Sequence, residues 1–255
     1  MNESMFYDLR GIAALAPSLS TQIAREIGRR IVAGTYGEGE LIEDETNLAE
    51  RYRVSRTAIR DAVKILSGKG LLEARRGIGT LVKPRNEWML LDNDVLAWYQ
   101  SAAPSREFLR QLMEVRHVFE PMAAFWAAQR AGDADVDKIR TAFHQMEEEK
   151  GSIEDFILAD AMFHRAILNS TNNAFMSAIE GVVFSALLVS INITNQDPRD
   201  NNASIPFHRD VAEAIGARDA DRARRCMENL LADAKRRLDE SAAISKNAPT
   251  QKDVN

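Results

Sequence analysis

Two neighbouring stretches decide the fold, Ile42-Glu-Asp-Glu-Thr-Asn-Leu-Ala-Glu-Arg-Tyr-Arg-Val-Ser-Arg-Thr-Ala-Ile-Arg-Asp-Ala-Val-Lys-Ile-Leu66 and Leu71-Leu-Glu-Ala-Arg-Arg-Gly-Ile-Gly-Thr-Leu-Val82. The first reads as a short helix, a turn at Val54-Ser55 and a second helix with Ala58, Ile59, Ala62, Val63, Ile65 and Leu66 as its buried stripe. Ser55 is that helix's expected N-cap. The second reads as two strands joined at Gly77-Ile78-Gly79, because glycine accepts the backbone angles of a tight tip. Helix, turn, helix and hairpin in that order make a winged helix-turn-helix, whose second helix is shaped for a DNA major groove.

Arg56, Thr57, Arg60 and Lys64 are left toward solvent near the start of the second helix, where side chains reach base edges. Arg75, Arg76 and Gly77 at the wing are placed to meet phosphate or the minor groove. A net charge of -5 argues against DNA only until it is divided along the chain. Between Ser20 and Arg85 there are 13 basic and 9 acidic side chains, against 19 and 27 from Asn86 onward. Positive charge is concentrated where the motif lies, as phosphate contact requires.

The chain of 255 residues is long enough for two cores. Residues 1–19 read as a flexible arm, 20–85 as the DNA-binding head, and 86–104 as a linker with Trp88 and Trp98. Residues 105–244 read as a helical domain and 245–255 as a disordered tail. Ser20 is a plausible cap for a first helix carrying Ile23, Ile27 and Ile31. Six amphipathic helices beyond Ser105 suggest an antiparallel all-helical bundle, so the fold class is mainly α. No apolar run reaches the ~20 residues of a membrane span, and the start lacks a secretory pattern. The single cysteine, Cys226, precludes an internal disulfide. A cytoplasmic location follows as the expectation.

Leu48-Ala-Glu-Arg-Tyr-Arg-Val-Ser-Arg-Thr-Ala-Ile-Arg-Asp-Ala62, with the later Gly-Leu-Leu and Arg-Arg-Gly-Ile-Gly-Thr-Leu-Val, resembles the head of GntR-superfamily bacterial transcription regulators. Where that family usually has Leu-Pro-Ser-Glu-Arg-Glu, this chain has Ile42-Glu-Asp-Glu-Thr-Asn47. Glu43 thus replaces a proline, and Thr46 an arginine able to contact DNA. Glu114-Val-Arg-His-Val-Phe-Glu-Pro121, Asp160-Ala-Met-Phe-His-Arg-Ala-Ile167 and the stretch from His208 to Asp221 are similar to the FCD effector domain of the FadR-like branch. The resemblance implies a homodimer, double-stranded operator DNA as partner, and a pocket for a small carboxylate. It also implies a metal held by one aspartate and three histidines.

Asp160 and His164 are four residues apart, so both leave one helical face, and His208 opens a later helix. One carboxylate and two imidazoles suit a divalent ion of the zinc, nickel or manganese class. The family's third histidine falls on Leu230, so the set is either weakened or completed by water or effector. Arg116 is the implied grip for an effector carboxylate, with an i,i+4 pair to Glu120 as its other reading. Asn192 and Asn195 are further candidates for hydrogen bonds to the effector. The segment Pro84-Arg-Asn-Glu-Trp88 and Leu91-Asp-Asn-Asp-Val-Leu-Ala-Trp98 resembles regulators of sugar-acid catabolism, galactonate-type operon repressors among them. That favours a sugar acid as effector. The alternative is a metal-dependent enzyme acting on a small organic acid, although no nucleophile motif such as Gly-x-Ser-x-Gly occurs.

Overall fold

The computed structural model describes residues 17–101, 106–148, 153–194 and 203–247, and the chain divides into two compact units, Met1–Ser105 and Arg106–Asn255. Residues 1–16 of the arm read over 1–19, residues 248–255 of the tail read over 245–255, and the side chains of Asn192 and Asn195 lie outside the described residues; Leu19 already opens a helix, and residues 245–247 close one.

In the first unit, α1 (Leu19–Val32) is capped by Ser18 rather than Ser20: Ser18 Oγ accepts from the Thr21 N–H at 3.2 Å. Ser20 already lies in the first helical turn and has no backbone N–H to cap. Asp44 caps α2 (Glu45–Tyr52), accepting from the Thr46 and Asn47 N–H groups at 2.8 and 2.9 Å. The helix stops at Arg53, which takes a left-handed conformation with φ 54. Ser55 caps α3 (Arg56–Gly68) through the Ala58 N–H at 3.2 Å. Strands β1 (Leu72–Arg75) and β2 (Gly79–Val82) pair antiparallel, with Leu72 opposite Val82 and Arg75 opposite Gly79. Gly77 turns the tip at φ 78, an angle that disfavours any residue with a Cβ. The chain before α2 also joins this sheet: Leu41 bridges Leu81, and the Val82 N–H donates to the Glu40 carbonyl at 2.9 Å.

Ile23, Ile27 and Ile31 of α1, Leu48 of α2 and Ile59, Ala62 and Leu66 of α3 meet in one core with Leu71, Leu72 and Val82. Of the expected stripe on α3, Ala58, Val63 and Ile65 are only half-buried. Residues 86–104, read as a linker, contain α4 (Asn93–Ser101), which packs on α1. Trp98 is 2% exposed, and its ring lies so close to Gly28 that a Cβ there would stand 2.4 Å from two ring carbons. Trp88 donates from Nε1 to the Lys83 carbonyl at 2.8 Å. Lys69, just after α3, pairs with Asp92 and Asp94, each at 2.7 Å. Trp88, Val95 and Trp98 are therefore part of the head's own core, while Leu91 stays exposed.

The second unit comprises α5 (Arg106–Arg130), α6 (Asp133–Glu148), α7 (Ile153–Asn169), α8 (Ala174–Ala178), α9 (Glu180–Thr194), α10 (Ile205–Gly216) and α11 (Ala220–Asn247). The mainly apolar stretch from Ala174 to Thr194 forms two helices, separated at Ile179. Glu180 then starts a new helix, where a carboxylate is favoured by the helix dipole, and is pinned by Arg165 Nε at 3.1 Å. Helix α5 lies against α7, α9, α10 and α11, so its inward side chains reach the middle of the domain. No helix among the described residues is long and apolar enough to cross a membrane.

The Gly28–Trp98 contact yields a measurable expectation. Gly28→Ala should push Trp98 off α1 and cost about 1–3 kcal/mol, the usual range for overpacking a tight interior. Loss of tryptophan-monitored stability in urea would register it, whereas a melting curve unchanged from the parent would disprove the contact.

Candidate functional site

In the head, the seven residues expected to meet DNA (Arg56, Thr57, Arg60, Lys64, Arg75, Arg76 and Gly77) are all exposed. The first four follow one face of α3 from its capped N-terminus, and the last three lie at the hairpin tip. Their electrostatic settings differ. Arg60 Nε donates to Glu45 Oε2 at 2.7 Å, Lys64 pairs with Asp61 at 3.0 Å, and Arg75 Nη2 pairs with Glu73 at 2.9 Å. Arg56 and Arg76 have no ion-pair partner among the described residues. Glu43, where the resembled family has proline, accepts from Tyr36 Oη at 2.5 Å and pairs with Arg51. That carboxylate is pulled below its usual pKa: burial works against this, and Tyr36 and Arg51 outweigh it.

The second unit holds a cluster of buried charged and polar groups. Arg116 and Glu120 sit on α5, Asp160 and His164 on α7, and His208 on α10, each no more than 6% exposed. Helical spacing of four brings Arg116 over Glu120 and Asp160 over His164. His208 Nδ1 lies 2.9 Å from the Ser204 carbonyl, which can only accept, so Nδ1 carries the hydrogen. Its Nε2 faces Asp160 Oδ1 at 2.9 Å. His164 stands between two carboxylates as a charge contact: Nδ1 is 2.5 Å from Glu120 Oε2, without hydrogen-bond alignment, and Nε2 is 3.3 Å from Asp160 Oδ1. Phe163 stands edge-on to both imidazoles, with centroids 5.7 and 5.3 Å away, which fixes their planes. Arg116 grips Glu120 from Nε at 2.5 Å and Nη2 at 3.4 Å, Nη2 also lies 3.5 Å from His164 Nε2, and Nη1 lies 3.9 Å from Met113 Sδ.

These contacts shift the titrations strongly. Burial opposes a charge on His164, but Glu120 and Asp160 outweigh it and push the imidazole up to about 9. Glu120 is held down to about 2: burial works upward, and Arg116 with His164 overcomes it. Asp160 is likewise kept far below the ordinary carboxylate range, since His208 and His164 outweigh burial. Asp160, His164 and His208 have one ligand atom each within 4.8 Å of one another. Nδ1 of His208 is engaged by the Ser204 carbonyl and Nδ1 of His164 sits against Glu120, so both Nε2 atoms face Asp160 Oδ1. That is the donor pattern of a divalent-metal site with its supporting shell. Binding of a cation would displace the His164 proton.

Leu230, where the family's third histidine falls, is 3% exposed and offers no donor. The i,i+4 pair of Arg116 with Glu120 is present, and Glu120 does more than sequence reading assigned it, because it also holds His164. Its position four residues after Arg116 was a signal for the first contact and not for the second. His117 is tied to the Met113 carbonyl at 2.8 Å, and His144 lies 3.5 Å from Glu147, apart from this cluster.

Comparison with known proteins identifies the two units. Residues 19–82 match the family model "Bacterial regulatory proteins, gntR family", and residues 111–233 match the FCD domain. The chain is 31% identical over 220 residues to the galactonate operon transcriptional repressor of Escherichia coli K12, covering 86% of this chain and 96% of that one. It is 25% identical to the transcriptional repressor NanR of Escherichia coli, covering 88% and 86%. The solved structure of Lar, which controls the Listeria monocytogenes agr system, superposes with a TM-score of 0.63. At 18% identity and coverage of 89% and 99%, that likeness concerns the fold. These relatives are regulators and not enzymes, so the enzyme alternative has no support.

Removing Glu120 leaves Arg116 buried without its carboxylate and His164 with Asp160 alone. Glu120→Ala should therefore cost about 3–5 kcal/mol in urea unfolding of the helical domain. A loss below about 1 kcal/mol, the range of an exposed pair, would show that Arg116 and His164 find other partners.

Proposed function

The chain belongs to the GntR family of bacterial regulatory proteins, and on that premise we propose that it is a homodimeric repressor of a sugar-acid catabolic operon, released when a small carboxylate enters its helical domain. The chain is a DNA-binding transcription regulator. In the proposal, two heads occupy two half-sites of a pseudo-palindrome. Arg56, Thr57, Arg60 and Lys64 take the major groove, with Arg75, Arg76 and Gly77 on the flanking backbone or minor groove.

One observation carries the effector reading: Arg116, Glu120, Asp160, His164 and His208 are all buried together. Buried ionic groups seldom add stability and cluster at sites that bind something. Asp160, His164 and His208 would hold a divalent ion, and Arg116 would take the effector carboxylate with its remaining donors. A bound ion supplies a Lewis-acid anchor for carboxylate and hydroxyl oxygens. With Leu230 donating nothing, three protein ligands leave positions that a hydroxy-carboxylate can fill. A sugar acid is the effector class most consistent with this and with the 31% identity to a galactonate operon repressor. Such an effector would favour a head arrangement that fits the operator poorly, and release follows as a population shift.

Thermal-shift measurements against hexonates, uronates and the matching neutral sugars test the reading directly. An acid present at a hundred times its Kd should stabilise by ~2.7 kcal/mol, a rise of several degrees, and a chelator should reduce it. A panel in which no acid raises the melting temperature would refute the sugar-acid assignment. Asp160→Ala should keep DNA affinity while abolishing the response to the acid in gel shifts; a full response would remove Asp160 from the pocket. Leu230→His should tighten divalent-metal binding on the order of tenfold or more by restoring a third imidazole. Unchanged affinity in calorimetry would exclude residue 230 from the coordination shell.

A further inference from the structure

We propose that Glu45 is a specificity-determining residue of the head: by holding Arg60 through Nε, it presents the end of that guanidinium to a guanine edge and discourages its use as a simple phosphate contact. The inference rests on the head's DNA-binding role and concerns how sequence is read there.

Arg60 lies one turn beyond Arg56 and Thr57 on the exposed face of α3, and Glu45 is the first residue of α2. Their 2.7 Å bond joins the two helices of the motif across 15 residues of sequence. The ion pairs of Lys64 and Arg75, the other paired residues expected to meet DNA, are local. Lys64–Asp61 lies within α3, and Arg75–Glu73 within β1. The side chains of Arg60 and Glu45 are 61% and 41% exposed, so the pair contributes little to stability. A carboxylate on the face that meets a polyanion also weakens association through phosphates. Stability therefore does not account for it, and recognition does.

The contact uses Arg60 Nε. The two terminal nitrogens keep their outward N–H groups, a planar pair that matches O6 and N7 of guanine. Fixing the side chain in one orientation lowers the entropy lost on binding the correct base. The acid next to it meanwhile penalises the swing toward phosphate that every sequence would satisfy. Positioning and penalty act in the same direction, toward discrimination.

Selection from a fully randomised duplex library, using the intact wild-type protein and Glu45→Gln, tests this. Wild-type enrichment reports that the head reads DNA, and the difference between the two proteins reports Glu45. The wild type should enrich a site with an invariant guanine, and Glu45→Gln should reduce preference at that guanine about tenfold. Its affinity for a scrambled duplex should rise a few-fold, with a steeper salt dependence. Glu45→Asp retains the charge but shortens the reach, so it should lose guanine preference without gaining affinity for the scrambled duplex. In an Arg60→Ala background, Glu45→Gln should leave guanine preference unaltered, because the side chain it positions is gone. The proposal is overturned if Glu45→Gln keeps the wild-type guanine preference. It is equally overturned if that preference falls as far with Arg60 absent as with it present.

Discussion

Two buried carboxylates, Glu120 and Asp160, constrain the helical domain more than any apolar contact does. Between them they answer Arg116, His164 and His208 from three different helices, with Arg116 on α5, His164 on α7 and His208 on α10. Apolar side chains tolerate small slips against one another, but a charge buried without its partner does not. The contacts of Glu120 with His164 and of Asp160 with His208 therefore fix the register of α7 against α5 and α10. Phe163, edge-on to both imidazoles, packs against them at this junction.

The same charges make the domain responsive. A cluster that is neutralised internally can trade partners when a metal or an anion arrives, and each trade alters what holds the helices together. A domain built wholly of leucine and alanine would be more stable and would have nothing to exchange. The head shows a milder form of this economy. Glu43 takes up Tyr36 and Arg51, and Glu45 takes up Arg60, so part of the basic surface is already committed before any DNA approaches.

Most of the head was legible in sequence, because short helices with capping residues and a glycine-tipped hairpin depend on local chemistry. Ser55 and the Gly77 tip are examples, and the shift of the first cap from Ser20 to Ser18 is a two-residue ambiguity between adjacent serines. The helix inside the segment 86–104 is hidden from sequence for a physical reason. Trp98 is buried by Gly28, a residue 70 positions away, and a glycine gives no pattern that announces a partner. In the helical domain the i,i+4 pairs were readable because one helix brings their members together. The convergence of Asp160 with His208, 48 residues apart, came from the resemblance rather than from spacing. The break at Ile179 was hidden because apolar residues run through it on both sides.

Helix α4 changes where the head can be said to end. Severing the polypeptide after the wing, at Arg85, would remove Trp98 from its seat on Gly28 of α1 and leave Lys69 without Asp92 and Asp94. The natural unit of exchange is longer and runs through Ser101. Recombination or gene fusion that transplants this reading head onto another sensor would have to carry Trp98 along. A shorter graft would inherit the recognition surface but not the means to keep it folded.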